Sequence, residues 1–287
     1  MSMNQSRDAK TYSKQPTTER TRYITCPVCG SEQSRLYWEF PTHQFVRCAS
    51  CELVYQNPQP VPDDLVARYD VDYFQYELEN DRNFYTLMKL GMEDVGFDSL
   101  SFPEAPRRFL DVGCATGMLL EDMQQRGWEV QGVEVCRASA EYGIRQRGVP
   151  IEVATLQGAS FPSGHFSAAH FSHLIEHLPD PRGFLEEVYR ILAPGGYALV
   201  TTPNVDGFQA RLFAKQWRSA IPDHVCLFNK HNLRRVLTET GFVIRKLQTW
   251  GGLAVGTAPP WIKKPVDRMA KLFGFGDVMM FLAQKPE

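Results

Sequence analysis

Residues 109–117 read FLDVGCATG: an apolar run that carries Asp111 near its end and breaks into a turn bounded by Gly113 and Gly117, just before the amphipathic stretch MLLEDMQQRGW. A glycine-bounded turn between a strand and a helix lets a ligand lie against bare backbone at the helix N-terminus. The acid narrows which ligand. A pyrophosphate would be repelled by Asp111, and the third, close-packing glycine of the dinucleotide fingerprint is absent. An ammonium or sulfonium group would be attracted instead. Taken alone, the same residues also suit an ordinary strand–turn–helix in which glycine serves only the tight turn.

The next strand-like run, WEVQGVEV, brings Glu134 to its end at the separation of one βαβ unit, where a carboxylate can take both hydroxyls of a ribose. Two acids and two glycines together describe a nucleoside with a cationic tail. Here the chain resembles the class I S-adenosylmethionine-dependent methyltransferases, whose first motif has the same Asp-x-Gly-x-x-x-Gly pattern. The resemblance implies that Asp111 and the loop Gly113, Cys114, Ala115, Thr116 and Gly117 hold the methionine part. It places Glu134 and Val135 at the ribose, Thr155 and Leu156 at the adenine, and Ser172, His173 and Tyr73 as further cofactor contacts.

Downstream of residue 107, apolar strands alternate with amphipathic helices, as in a parallel sheet covered on both faces. Strands are expected at 108–112, 129–134, 151–154, 166–172, 197–203, 242–249 and 277–284. Helices are expected near 117–127, 137–147, 181–192, 205–215 and 230–240. The expected fold is α/β: a Rossmann-like, doubly wound, seven-stranded methyltransferase sheet with its last strand antiparallel. Ligands of such sheets bind at the carboxyl ends of the strands.

Seven cysteines include two matched pairs, Cys26-Pro-Val-Cys29 and Cys48-Ala-Ser-Cys51. Two Cys-x-x-Cys turns a short span apart can present four thiolates at the corners of a tetrahedron, which suits a closed structural Zn2+ site. Short strands between the pairs suggest a zinc ribbon over residues 23–57. Cys114, Cys136 and Cys226 are read as buried thiols. Residues 1–22 read as a polar tail and 58–105 as a helical linker or lid with two helical patterns separated by DVDYFQYE. The domain carrying the cofactor is assigned to 106–287, and 251–275 to an insertion that caps the pocket, packs on the body or makes a weak peripheral membrane contact.

The loop SHLIEHLPDP gathers His173, Glu176 and His177. His-x-x-Glu-His is also a metalloprotease pattern, but that chemistry needs a long helix, and here a strand precedes the pattern and prolines follow it. The loop is similar to that of the ubiquinone-biosynthesis-like branch of the methyltransferases. Some members of that branch carry Glu where this chain has His173 and can hold a metal there. The segment containing His224 resembles the same branch, and the resemblance spans roughly residues 70–284. Two departures stand out: Ser167 replaces an acid that usually follows Phe, and the Thr155–Leu156 loop lacks its acid.

Methyl transfer to a hydroxyl requires a proton to be removed, which makes His177 and His224 the candidate bases with Glu176 beside them. A net charge of -2 gives no electrostatic footprint for nucleic acid, and no secretory or membrane-spanning pattern is evident, so a cytoplasmic address is the default expectation. The expected partner is a small-molecule acceptor, a metabolite, sugar, lipid or quinone-type intermediate, methylated at oxygen or carbon. An RNA methyltransferase whose ribbon grips its substrate and an inactive cofactor-binding regulator are the alternatives. Oligomeric state is not legible in the sequence.

Overall fold

The computed structural model describes residues 19–69, 71–102, 106–252 and 259–287. The chain begins with five short strands: β1 (Thr21–Arg22), β2 (Ser34–Glu39), β3 (Gln44–Cys48), β4 (Val54–Gln56) and β5 (Gln59–Pro60). Helices α1 (Pro62–Val66) and α2 (Val71–Val95) follow. Then come β6 (Arg108–Val112), α3 (Met118–Gln125), β7 (Glu129–Val133), α4 (Arg137–Tyr142), β8 (Ile151–Glu152) and α5 (Leu156–Ala159). The chain continues through β9 (Phe166–Ser172), α6 (Pro181–Ile191), β10 (Leu192–Pro203), α7 (Phe208–Phe213), β11 (Cys226–Leu227) and α8 (Lys230–Glu239). It ends with β12 (Val243–Trp250), α9 (Pro260–Phe273) and β13 (Val278–Gln284).

Seven strands form one sheet in the order β12-β13-β10-β9-β6-β7-β8. All neighbours are parallel except β13, which is antiparallel to both β10 and β12. The doubly wound sheet with its antiparallel last strand is therefore the expected one. β6 and β9 lie at its centre and are buried on both faces, which is why FLDV and FSAAHF read as near-continuous apolar runs rather than alternating ones.

Three local features differ from expectation. The polar tail gives way to paired chain before residue 23: β1 pairs with β5, and Glu19 holds both nitrogens of one edge of the Arg68 guanidinium at 2.7 Å. The rest of the tail lies outside the described residues. In 58–105 the part of DVDYFQYE that the structure describes, residues 71–77, does not separate two helices; it forms the first turns of α2. Tyr69 and Tyr73, four apart, meet edge to face at 4.9 Å, and Phe74 packs on Tyr142 of α4 at 5.8 Å, so tertiary contacts favour a single long helix across the sheet. The 205–215 helix stops at Phe213 because Ala214 turns into a positive-φ conformation at 48°.

A further, long-range difference concerns the cysteine module. Its sheet has four strands, β11-β4-β3-β2, and β11 comes from the far end of the chain. Cys226 pairs with Tyr55 and Leu227 with Val54. Val54, Phe45, Trp217, Leu227 and Val205 share one apolar cluster, while Arg182 of α6 donates to the Val28 carbonyl at 2.8 Å. The ribbon is thus built into the body through a shared sheet and core.

Candidate active site

The loop after β6 alternates in hand. Gly113, Ala115 and Gly117 have φ of 70°, 46° and 75°, and Gly117 caps the start of α3. A side chain at Gly117 would meet Val149 at 2.8 Å, so glycine is required there for packing as well as conformation. Gly113 is exposed on the rim. Glu134, at the end of β7 and 4% exposed, holds this loop: its carboxylate accepts the N–H of Ala115 at 3.0 Å and of Cys136 at 2.7 Å. Burial pushes the Glu134 pKa up against those hydrogen bonds. Val135 is half-buried beside it.

Asp111 is 3% exposed and accepts a hydrogen bond from His170 Nδ1 at 2.7 Å. His170 is fully buried on β9, and its Nε2 has no partner among the described residues. The Thr116 hydroxyl, also buried, has none either. Cys114 is buried under the loop, where desolvation and then the Asp111 carboxylate hold its thiol well above the ordinary range. Two carboxylates, a left-handed glycine loop and an unpartnered hydroxyl therefore converge at the carboxyl ends of β6 and β7. This donor set fits a cationic amino-acid tail followed by a ribose.

Tyr73 stands over the same rim from α2, half-buried, with Glu77 one turn on. Burial raises the Glu77 pKa to about 7, the Tyr73 hydrogen bond opposing and the Glu134 charge reinforcing it. Glu77 escaped the sequence reading; its only signal was Tyr73-x-x-x-Glu77 at one-turn spacing inside a segment taken for a break. The two residues expected to face the adenine, Thr155 and Leu156, have structural roles of their own. The Thr155 hydroxyl caps α5 by accepting the Gly158 N–H at 3.1 Å, and Leu156 is 2% exposed within the main core.

The second half of the site follows β9. Ser172 ends that strand, and His173 turns sharply with φ of 52°, a conformation non-glycine residues adopt at a cost. Ile175–His177 forms a single 3-10 turn, after which Asp180 caps α6 through the Gly183 N–H at 2.9 Å and Pro181 opens it. Leu-Pro-Asp-Pro is thus a helix-start signal, and the His-x-x-Glu-His pattern lies on a rim turn.

Glu176 has no exposed surface. One carboxylate oxygen accepts from His173 Nδ1 at 3.1 Å and the other from the Thr202 hydroxyl at 2.9 Å. Burial alone would raise its pKa; the His173 hydrogen bond and the surrounding imidazoles of His173, His177 and His224 outweigh it and hold the acid at about 2. His177 Nδ1–H donates to the Asp223 carbonyl at 2.9 Å, and His224 Nδ1–H donates to the Ser219 carbonyl at 2.8 Å. Each bond orients its ring and leaves Nε2 as the free nitrogen. The rings meet edge to face, 4.7 Å between centroids. His224 is 8% exposed, and burial together with the neighbouring His177 lowers its pKa to about 3, so it stays neutral.

Glu176, His177 and His224 therefore come together, with donor atoms within 4.8 Å of one another. His173 joins them by bonding to Glu176 rather than by aiming alongside it at a shared centre. The arrangement is chemically able to hold a metal ion or to exchange protons. His224 is brought in by the ribbon: the 1% exposed Gln56 donates its side-chain amide to the carbonyls of Pro222 (2.7 Å) and His224 (3.0 Å), and Arg68 donates to Pro222 and to Asp223.

The four predicted ribbon cysteines converge as a separate set, Cys26, Cys29, Cys48 and Cys51. Cys26–Cys51 and Cys29–Cys48 sulfurs lie 3.5 Å apart, close to the edge of about 3.8 Å that a tetrahedron with Zn–S of about 2.3 Å requires. Burial opposes ionisation of Cys48, yet the N–H groups of Cys51 and Ser50 and the neighbouring thiols bring it down to about 7. The set fits Zn2+. The remaining cysteines, Cys114, Cys136 and Cys226, are buried.

Fold and site together define an α/β protein of the methyltransferase type, with an acid-glycine rim at the centre of a seven-stranded sheet. The chain belongs to the methyltransferase domain family, whose sequence model matches residues 92–247, more than half of it. It is similar to a ubiquinone biosynthesis O-methyltransferase of Chromobacterium violaceum, 30% identical over 132 residues, which covers 44% of this chain and 57% of that protein. The chain thus spans about half the length of the curated relatives it matches. Among solved structures, a SAM-dependent methyltransferase from Archaeoglobus fulgidus is 20% identical, with a TM-score of 0.54 over 74% of this chain and 99% of that one. A Haloferax volcanii methyltransferase solved with the Trm112 activator is 14% identical, with a TM-score of 0.56 over 79% of this chain and 100% of that one. At these identities the likeness is one of fold.

Proposed function

We propose that the protein is an S-adenosylmethionine-dependent methyltransferase that methylates a hydroxyl of a small-molecule acceptor, with Zn2+ closing the ribbon as a structural ion. The observation that carries this reading is the meeting of Asp111, Glu134 and the left-handed loop with the Glu176–His177–His224 cluster on one rim of the sheet. Bound S-adenosylmethionine would supply an activated methyl on a sulfonium. Asp111 would face the cationic tail, and Glu134 would accept from the ribose hydroxyls while still holding Ala115 and Cys136.

His177 is the favoured base. It is half-buried, so its Nε2 can reach an acceptor, whereas the enclosed His224 has too low a pKa to store a proton and serves to orient the acceptor by accepting a hydrogen bond. The Glu176 carboxylate, kept ionised, stabilises the imidazolium formed on His177. General-base catalysis of this kind contributes about 10²–10⁴-fold, and alignment of the acceptor on a dry rim supplies further rate. The homologous ubiquinone biosynthesis O-methyltransferases agree with oxygen as the acceptor atom.

The test is calorimetry with S-adenosylhomocysteine followed by a metabolite screen with methyl-labelled cofactor, read by mass shift. Binding that Asp111→Asn weakens, and a labelled product that His177→Ala abolishes, are the expected results. An absence of cofactor binding would sink the reading.

A further inference from the structure

Helix α9 turns an apolar stripe toward solvent. Trp261, Pro265, Met269 and Leu272 recur at i, i+4, i+8 and i+11, the spacing of one helical face. Trp261, Met269 and Leu272 are 74%, 50% and 75% exposed, and Phe273 beside them 65%. The packed face is a different one. Ala270 is fully buried, its carbonyl accepts the Thr249 hydroxyl at 3.0 Å, and Gly252 lies against Val266. Core packing therefore does not account for the stripe.

Helix α7 extends the surface. Its Phe208 and Leu212, one turn apart, are exposed, and Phe208 and Arg211 line a shallow depression together with Phe273 and Phe275 at the end of α9. Both helices leave the sheet on the same rim: α7 follows β10, and α9 follows β12, which runs parallel to β10 because each is antiparallel to β13. That rim is the one holding the candidate active site.

The chemistry of the border selects the occupant. Lys264 and Arg268 stand one turn apart next to the stripe and pair with no carboxylate among the described residues, while Arg211 and Lys215 border the α7 side. The acids nearby are already paired: Asp267 with Lys263 at 2.6 Å, Asp94 with Lys271 of α9 at 2.5 Å, and Asp206 with Arg47 and Asn229. On a chain of net charge -2 this is a local concentration of cations around exposed aromatic and aliphatic side chains. A second copy would bring cations against cations across a two-fold axis. An anionic bilayer would bring phosphates to the cations and an acyl boundary to Trp261, Leu272 and Phe273.

We propose that the α7–α9 surface docks the protein on an anionic lipid bilayer. The inference is independent of the methyltransferase reading, since none of these residues belongs to the acid-glycine rim or the histidine cluster.

The test is co-sedimentation of the full chain with vesicles of phosphatidylcholine alone and of phosphatidylcholine mixed with phosphatidylglycerol. The wild-type protein should partition onto the mixed vesicles only, and less at high salt. Each cation near a bilayer of this kind is worth a factor of about five, so Lys264→Glu with Arg268→Glu should lower partitioning by at least about tenfold. Trp261→Ser with Leu272→Ser should lower it as well. Both double variants should keep wild-type affinity for S-adenosylhomocysteine and wild-type thermal midpoints, which separates loss of docking from loss of fold and from failure of the cofactor reading. Equal binding to both vesicles, no binding, or binding that neither variant lowers would overturn the proposal. So would a dimer in sedimentation velocity that the stripe variant dissociates, because that result assigns the stripe to a second copy.

Discussion

Replacing Gln56 by leucine tests whether the ribbon holds His224 in place. Gln56 is 1% exposed; its backbone N–H donates to the Val225 carbonyl at 2.9 Å, and its side-chain amide reaches the carbonyls of Pro222 and His224. Leucine keeps the approximate volume and the backbone bond but removes both side-chain donors. Pro222 retains Arg68 at 3.0 Å, so the loss concentrates on the His224 carbonyl. One buried carbonyl left without a donor costs about 1–3 kcal/mol and one lost bond about 1 kcal/mol more, or about 2–4 kcal/mol together. The unfolding free energy from urea titration should fall by that amount, seen as a lower midpoint with the slope unchanged. The His224 imidazole, followed by NMR, should titrate above its enclosed value of about 3 as the segment loosens. Affinity for S-adenosylhomocysteine, which depends on β6 and β7, should stay at the wild-type level. A variant that loses the stability while His224 titrates as before would refute the coupling, and one with an unchanged midpoint would refute the energetic argument.

Four further outcomes are expected. Metal analysis should find about one zinc per chain, lost in Cys48→Ser with Cys51→Ser; because β11 shares the ribbon sheet, hydrogen exchange should quicken at 222–227 as well as at 26–56. Glu134→Gln places an amide where two backbone N–H groups need acceptors, so calorimetric affinity for S-adenosylhomocysteine should drop by about 2–3 kcal/mol. Asp277 is fully buried and accepts from Trp217 at 2.5 Å and from the exposed Arg218 at 2.9 Å; Asp277→Ala leaves the buried Trp217 N–H without its acceptor and should cost about 1–3 kcal/mol in urea unfolding. His224 and Glu176 both have depressed pKa values when folded, about 3 and about 2, against ordinary values of 6.5 and 4.5. The unfolded chain therefore binds more protons, and stability should fall as pH drops from 6.5 toward 3 through His224 and from 4.5 toward 2 through Glu176. His224→Gln should flatten the upper part of that decline in thermal midpoint, and an unaltered profile would contradict it.

Features legible in the sequence were those written at short range. The seven strands fell where apolar runs placed them, and the antiparallel return of the last strand followed from the resemblance. The acid-glycine loop was legible because Asp111, Gly113 and Gly117 act through local backbone geometry. The cysteine pairs were legible because metal-ligand spacing is local within each turn. DVDYFQYE misled because its aspartates and aromatics look like a break, while contacts with Tyr69 and with Tyr142 of α4 make it helical. Thr155 was placed correctly on a rim loop, but its hydroxyl is spent on a helix cap that spacing alone did not reveal.

The sequence by itself determined the class of sheet, the acid-glycine turn and the cysteine quartet, because each depends on residues within a few positions of one another. Only the tertiary structure decided which partners those residues have. His170 reaches Asp111 across 59 positions, because β6 and β9 are neighbours only once the sheet is wound. Thr202 reaches Glu176, and Gln56 reaches the carbonyl of His224 across 168 positions, because β11 closes the ribbon sheet. Proton affinity in the cluster likewise arises from burial and from neighbouring charges that no stretch of sequence contains. The acid-glycine loop is thus a property of one segment, whereas the histidine cluster exists only where the ribbon and the large sheet meet.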